Sequence, residues 1–460
     1  MKREEKMKTN ILVAEIGSTT TVINAFNDIY SSCPKFIGQG QAPTSVNEGD
    51  VNIGLNKAID DLKRSLGVED IVYDELIATS SAAGGLRMTV HGLVYDMTVR
   101  AAKEAALGAG ANIHQVTAGR LRRTDIKQIK EVNPNIILIA GGVDYGERDT
   151  AIYNAEKIAE LNLDVPVIYA GNIENIEEIK LIFEDTPCKL YIVENVYPKI
   201  DKLNIEPTRK VIQDVFEEHI IHAPGMMKVR EMVNGPIIPT PGAVMLASKL
   251  LKEEIGDLIT LDVGGATTDL HSVTEGSEEV NRILISPEPI AKRTVEGDLG
   301  VYVNMKNIVE RIGLEELVTN LDISSQKLEE LIENHKPIPS NEMEKRFVEE
   351  LTKEAVITSV RRHAGKFRDL YGASGKKTIA EGKDLTNIKY IVGTGGALTR
   401  LPSRIEIMKS IAENNKGNDL FPNRETQILV DNNYIMASLG VLSKKYPEAA
   451  LSLLKKSLNI

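Results

Sequence analysis

Three short stretches carry residue types suited to holding a nucleotide. AEIGSTTT (Ala14–Thr21) follows an apolar run, and LDVGGATTDL (Leu261–Leu270) follows another. Both run acid, one residue, glycine, small residues, threonines. Glycine permits positive φ and close backbone approach, so several N–H groups can converge on phosphate oxygens. The hydroxyls of Ser18, Thr19, Thr267 and Thr268 add donors. The acids, Glu15 and Asp262, would repel a phosphate but suit a hydrated Mg²⁺ ion or the orientation of an attacking water. A third stretch, VGTGGA (Val392–Ala397), has no acid and suits backbone packing against a base or ribose. Each turn alone resembles an ordinary hairpin. Three in this order, the first two alike, point to a nucleotide.

Elements must position these turns. Residues 10–27 read as strand, tight turn, strand, and Val51–Leu66 has helical spacing. From about Glu75, strand cores recur: LIATSS (76–81), HQVTAG (114–119), IILIAGG (136–142), VPVIYAG (165–171) and LYIVENV (190–196). Helical stretches lie between them, which predicts βαβ crossovers and a parallel sheet with its crevice at the C-terminal strand ends. PGMM (224–227) and NGPIIPTPG (234–242) read as a Pro/Gly-rich linker. GAVMLASKLLKEEIG predicts a helix ending at Gly256, and residues 257–273 are again strand, turn, strand. The segment at about 305–370 reads as helical and charged, 387–401 as a strand entering a Gly-rich turn, and 431–458 as two helices broken near Pro447.

The order of the three turns resembles the phosphate-1, phosphate-2 and adenosine motifs of the ATPase superfamily that contains actin, sugar kinases and heat-shock chaperones. The resemblance implies an α/β, two-lobe actin-like (ribonuclease-H-like) ATPase fold closing over Mg-ATP. Gly17, Ser18, Thr19 and Thr20 would form the first phosphate loop, and Gly264, Gly265, Ala266, Thr267 and Thr268 the second. Gly393, Gly395 and Gly396 would flank the adenosine. The expected division is 1–71 for the first part of the ATPase core, 72–235 for an inserted doubly wound parallel α/β domain serving partner recognition, and 236–460 for the second lobe.

A narrower resemblance spans nearly the whole chain. SSAAGGLRM (80–88), AALGAGA (105–111), ILIAGGVDYG (137–146), PTPGAVMLA (239–247), LDVGGATTDLHSV (261–273) and KRTVEGDLG (292–300) together are similar to the MutL/GlmL family, which accompanies adenosylcobalamin-dependent mutases. This implies a chaperone-like ATPase that reactivates a partner such as glutamate mutase or an ornithine or lysine aminomutase by letting damaged cobalamin leave. It implies ATP and Mg²⁺ as cofactors, with Glu15 and Asp262 as metal-holding and catalytic acids. Glu15 departs from the superfamily norm, an aspartate. Two further readings of the fold are a small-molecule kinase and a nucleotide-dependent assembly or scaffold protein.

Other constellations are weaker. Glu296 and Asp298 in VEGDLG (295–300) suit positioning of water or Mg²⁺, or simply a solvated turn; the family resemblance implies the functional role, with both as catalytic acids. DLHSVT (269–274) half-matches the D-x-H-x-x-G cobalamin box but has Thr274 where glycine is required, so His271 is expected to be a strand histidine. SGKKT (374–378) fails the Walker A pattern. Asp144, Glu147 and Asp149 could bind a partner or a cation but read foremost as an acidic helix start, and Arg87 is an open candidate for a phosphate or a partner carboxylate. Cys33 and Cys188 have no metal-ligand spacing and are expected as reduced thiols. The net charge of −11 makes nucleic acid an unsuitable partner. No run reaches membrane-span length and no signal peptide is recognisable, so a soluble cytoplasmic protein is expected.

Overall fold

The computed structural model describes residues 6–45, 50–81, 86–219, 226–235, 237–372, 375–415 and 417–460. Contacts divide the chain into two compact units, Met1–Ile29 with Lys35–Ala243, and Tyr30–Pro34 with Val244–Ile460.

The first unit begins with β1 (Lys6–Ile16), β2 (Thr20–Asn27), β3 (Lys35–Pro43), α1 (Val51–Leu66) and β4 (Asp70–Ser80). β1, β2 and β3 form an antiparallel meander, and β4 lies parallel to β1. Leu12, Ala14 and Ile16 of β1 share one core with Leu76 and Ala78 of β4 and with Leu55, Ala58 and Leu62 of α1. α1 is started by the Asp50 carboxylate, which accepts from the Asn52 N–H, and is stopped by Gly67 at φ 69°.

The chain continues through β5 (Leu86–Gly92), α2 (Arg100–Gly108), β6 (Ala111–Ala118), α3 (Arg123–Val132), β7 (Ile136–Ile139), α4 (Asp149–Ala159), β8 (Val167–Tyr169), α5 (Ile176–Phe183) and β9 (Leu190–Ile192). These strands form a five-stranded, wholly parallel sheet in the order β6-β5-β7-β8-β9. That is the doubly wound order 2-1-3-4-5, whose ligand crevice opens at the C-terminal strand ends. α6 (Glu206–His219) and α7 (Met226–Met232) lead back to β10 (Ile237–Pro239), which pairs parallel to β4. The first sheet is thus β10-β4-β1-β2-β3, with the doubly wound layer spliced between β4 and β10.

Two expectations change here. LIATSS belongs to β4 of the first sheet, because Leu76 and Ala78 bury against β1's core face; the first inserted strand is β5. The region expected as a linker instead contains α7 and β10, with Ile237 and Ile238 fully buried. Residues 224, 225 and 236 of that region, and 82–85 of SSAAGGLRM, lie outside the described residues.

The second unit contains most of α8 (Thr240–Ile255), then β11 (Leu258–Val263), β12 (Thr268–Val273), α9 (Glu278–Asn281) and β13 (Ala291–Glu296). Helices α10 (Met305–Ile312), α11 (Leu314–Leu321), α12 (Ser325–Glu333) and α13 (Glu342–His363) follow, then the hairpin β14 (Lys366–Gly372) and β15 (Gly375–Glu381). The chain closes with β16 (Tyr390–Thr394), α14 (Gly395–Arg400), α15 (Arg404–Glu413), β17 (Gln427–Val430), α16 (Met436–Ser443) and α17 (Pro447–Leu458). The sheet order is β13-β12-β11-β16-β17. β11, β12 and β13 form an antiparallel meander, while β16 runs parallel to β11 and β17 parallel to β16. This repeats the first sheet strand for strand: a three-stranded meander, then two parallel strands beside its first member. Two such sheets, with an inserted doubly wound layer, are the actin-like ATPase fold expected from the sequence.

Candidate nucleotide site

The first turn joins β1 to β2. The Gly17 N–H donates to the Thr20 carbonyl at 3.0 Å, and a Cβ on Gly17 would stand 2.5 Å from that oxygen, so the turn requires glycine. Thr44 fastens the turn from β3's end: its hydroxyl donates to the Gly17 carbonyl at 2.9 Å and its N–H to the Thr19 carbonyl at 3.0 Å. Ser18 and Thr19 are exposed at the tip, while Thr20 begins β2. Glu15 is buried and accepts from Asn24 Nδ2 at 3.3 Å. Asn24 in turn accepts from Gln39 Nε2 at 2.9 Å. A chain of amides across β2 and β3 therefore orients the carboxylate.

The second turn, between β11 and β12, uses the same device. The Gly264 N–H donates to the Thr267 carbonyl at 3.0 Å. Asp262 faces Asp269 across the pair, as Glu15 faces Val22. The 297–304 loop backs this turn. The Gly265 carbonyl accepts from the N–H groups of Tyr302 and Val303, and Asn304 Nδ2 donates to the Ala266 carbonyl at 2.8 Å. Gly300 must lack a side chain because its Cβ would fall 2.2 Å from the Ala266 carbonyl carbon. The Thr268 hydroxyl does not join the donors expected at this turn. It is buried and donates to the Leu299 carbonyl at 2.7 Å, which commits it to the fold. Thr267 donates to Asp269 Oδ2 at 3.0 Å.

The third turn is the passage from β16 into α14. Gly395 has φ 81°, and a Cβ there would lie 2.5 Å from Asp262 Oδ1 and 2.6 Å from the Val263 carbonyl. Gly393 is equally constrained, its Cβ position standing 2.7 Å from Met408 Sδ. Gly396 is exposed and faces open space. Within the second unit the structure therefore brings Asp262, the Gly264–Thr267 turn and Gly395 together. Glu15 and Gly17–Thr20 belong to the first unit.

Glu296 and Asp298 converge on Arg362 of α13: Nη1 donates to Glu296 Oε2 at 2.5 Å and to Asp298 Oδ1 at 2.7 Å, and Nη2 donates to Asp298 Oδ2 at 2.8 Å. Burial raises the Glu296 carboxyl above its usual range, while the Arg362 hydrogen bonds hold Asp298 below its own. Both acids are thus held by a guanidinium, Glu296 buried and Asp298 still partly exposed to solvent. His271 is a fully buried strand residue, as expected, with both ring nitrogens lacking a hydrogen-bond partner. Burial pushes its pKa well below the ordinary value. Glu147 caps α4, accepting from the Thr150 N–H at 2.9 Å and its hydroxyl at 2.7 Å, which bears out the helix-start reading. Arg87 lies half-buried on β5. Ser374 of SGKKT lies outside the described residues, and the rest of that stretch is β15. Cys33 and Cys188 are free thiols. Among the described residues no helix is long and apolar enough to cross a membrane.

The MutL protein family profile matches residues 11–458. A curated relative, Protein MutL of Clostridium tetanomorphum, is 35% identical over 459 residues, covering 97% of this chain and 98% of the relative. The chain belongs to the MutL family. Solved structures similar to this MutL-family chain include nucleotide-free diol dehydratase-reactivating factor, at 12% identity and TM-score 0.38 over 95% of this chain and 99% of that one. Another is the xylulose kinase of Lactobacillus acidophilus, at 9% identity and TM-score 0.34 over 98% and 92%. A third is the ADPNP-bound activator of 2-hydroxyisocaproyl-CoA dehydratase from Clostridium difficile, at 9% identity and TM-score 0.28 over 97% and 95%. The fold assignment rests on the duplicated strand order rather than on these distant likenesses.

Sequence reasoning passed over three groups in this MutL-family chain. Arg362 is one, and the buried Asp269–Arg293 pair behind the second turn is another. The third is Asp431, which follows β17 and is fully buried beside the third turn. Its Oδ2 accepts from the Thr394 hydroxyl at 3.0 Å and from the Ile435 and Met436 N–H groups at 2.9 Å each, and its Oδ1 accepts from the Ser457 hydroxyl at 2.6 Å. One carboxylate thereby ties β16, the start of α16 and the end of α17. The only sequence signal was an acid directly after an apolar run. Asp431→Ala is expected to destabilise the second unit by about 1–3 kcal/mol, because it strands buried donors, and urea denaturation measures it.

Proposed function

We propose that this chain is an ATP-driven reactivating factor for an adenosylcobalamin-dependent mutase of the glutamate mutase or ornithine/lysine aminomutase type, promoting release of damaged cobalamin. The observation that carries the nucleotide part is the acid–x–Gly turn built twice, each closed by the same 3.0 Å glycine-to-threonine bond at the head of the same strand order. Membership of a family that accompanies such mutases supports the partner.

The residues fit Mg-ATP. Gly17, Gly264 and Gly395 stand where a Cβ would meet backbone or carboxylate oxygen within 3.2 Å, so these tight turns exclude a side chain at the positions where backbone N–H groups would meet phosphate. The Ser18 and Thr19 hydroxyls lie exposed at the tip of the first turn. In this reading Gly17, Ser18, Thr19 and Thr20 form a first phosphate loop, and Gly264, Gly265, Ala266 and Thr267 a second, with Thr268 acting only through its backbone. Gly393, Gly395 and Gly396 flank the adenosine. Glu15 and Asp262 hold a hydrated Mg²⁺ or orient the hydrolytic water, as Mg²⁺ is commonly bound by one or two carboxylates plus phosphate oxygens. Bound Mg-ATP supplies a hydrolysable γ-phosphate. Glu296 and Asp298 act through Arg362. The inserted parallel layer, whose first strand is β5, recognises the mutase, and the nucleotide state sets the population of the conformation that opens it.

The direct test adds the purified chain, Mg-ATP and free adenosylcobalamin to a mutase inactivated by cyanocobalamin. Recovery of turnover only with ATP is expected; no recovery with any of the three mutases rejects the proposal. Glu15 gives a sharper local check. Glu15→Gln is expected to slow ATP hydrolysis about tenfold or more while affinity changes little, and Glu15→Asp to alter the rate more than the affinity. Parent-like hydrolysis in both variants would reduce this carboxylate to a structural role.

A further inference from the structure

The loops at the C-terminal ends of the inserted parallel strands expose large apolar side chains at one sheet edge. Val94 and Tyr95 follow β5, Tyr145 follows β7, Ile173 follows β8 and Ile200 follows β9. Tyr145 is 78% exposed and Ile200 69%. Soluble proteins scatter single apolar residues over their surfaces, but a run of them on successive loops of one edge marks an interaction site.

The loops are knitted together rather than loose. The Tyr145 N–H donates to Asn172 Oδ1 at 3.1 Å, and the Ile173 N–H to Asp144 Oδ1 at 3.1 Å. Asn195 Nδ2 donates to Asp144 Oδ1 at 2.9 Å, and the Asp144 N–H donates to the Pro198 carbonyl at 3.0 Å. Tyr145 itself sits at φ 62°, a conformation bulky residues seldom adopt. The surrounding bonds hold this aromatic ring outward in a backbone state it would otherwise avoid, which is how binding loops store strain. Between these loops opens a cleft of about 440 Å³. Ile173, Ile176 and Ile192 line it with Asp144, Glu194 and one cation, Lys202.

We infer that this edge is the docking surface for the partner enzyme, and that it takes an apolar segment carrying a lysine or arginine into the cleft. The apolar rim supplies anchors of the kind that dominate interfaces. The two carboxylates against one ammonium favour a cationic side chain, and the chain's net charge of −11 steers a basic segment towards it. The inference rests on the reactivating-factor reading and locates recognition within the inserted layer.

The test uses the full chain and its Tyr145→Ser/Ile200→Ser and Glu194→Lys variants. The probes are immobilised glutamate mutase, ornithine aminomutase and lysine aminomutase, each loaded with cyanocobalamin. Both variants should bind at least about tenfold more weakly than the parent, with ATP hydrolysis unchanged, and the Glu194→Lys defect should shrink as salt rises. In the parent, amides of residues 143–147 and 193–204 should gain hydrogen-exchange protection on binding. Parent-like affinity in both variants, with no such protection, overturns the surface while leaving the reactivating-factor reading intact. So does loss of self-association in the variants without loss of mutase binding, which would assign the edge to a second copy of this chain. A parent that binds none of the three mutases overturns both.

Discussion

Asp262→Asn is expected to lower ATP hydrolysis by about 10²–10³-fold, the range for removing one group that acts on developing charge, with ATP affinity within about fivefold of the parent. Asp262 is the penultimate residue of β11, two positions before Gly264, and its Oδ1 stands 2.5 Å from where a Gly395 Cβ would be. The carboxylate therefore sits where the second and third turns meet. Asparagine keeps the size and removes the charge, so the turns should persist while the hold on hydrated Mg²⁺ or on the water is lost. Single-turnover hydrolysis and equilibrium ATP titration separate the two effects. Equal losses in both would make Asp262 a binding group only.

Asp269→Ala is expected to destabilise the protein by about 3–5 kcal/mol, the range for breaking a buried ion pair by removing one partner. Asp269 Oδ1 accepts from Arg293 Nε at 2.8 Å and Nη2 at 2.6 Å, and the Arg293 side chain is only 1% exposed. Across the sheet Arg293 faces His271, whose ring is held neutral chiefly by burial and further by the Arg293 charge. Removing Asp269 leaves a buried guanidinium without its counter-charge beside a ring that cannot supply one. It also frees the Thr267 hydroxyl at the second turn. Replacing both partners, Asp269→Leu with Arg293→Met, should lose much less, because no uncompensated charge remains. Urea denaturation of the single and double variants decides between these outcomes. A single-variant loss below about 1 kcal/mol would mean that the site is solvated well enough to dispense with the pair.

The three turns were legible because glycine, acid and hydroxyl residues recur at fixed spacing after apolar runs, and the structure closes the first two with the same bond. The parallel layer was legible from alternating strand and helix patterns. β3 was not, and its glycines explain why. A Cβ on Gly40 would stand 2.1 Å from the Ala58 carbonyl and one on Gly38 3.0 Å from Leu66 Cδ2, so β3 gives up strand-favouring side chains to let α1 pack against it. β10 was hidden by its proline-rich, three-residue length. The misplacement of β4 had another origin. Its pattern identifies a strand, but only pairing with β1 decides which sheet owns it. Long-range partners were the least visible class. Arg362 is separated from Glu296 by 66 positions, and Asp431 draws donors from β16, α16 and α17, so nothing local in the sequence marks either.

If ATP drives release of spent cofactor, the cyanocobalamin set free from an inactivated mutase reports it. The mutase is incubated with this chain and Mg-ATP, Mg-ADP or no nucleotide, then separated from small molecules, and the cobalamin in each fraction is read by its absorbance. Cobalamin is expected to move to the small-molecule fraction with Mg-ATP and to stay with the mutase without nucleotide, and Asp262→Asn to slow repeated release greatly. Cobalamin that stays on the mutase under every nucleotide condition, or leaves equally without any, would contradict ATP-driven release.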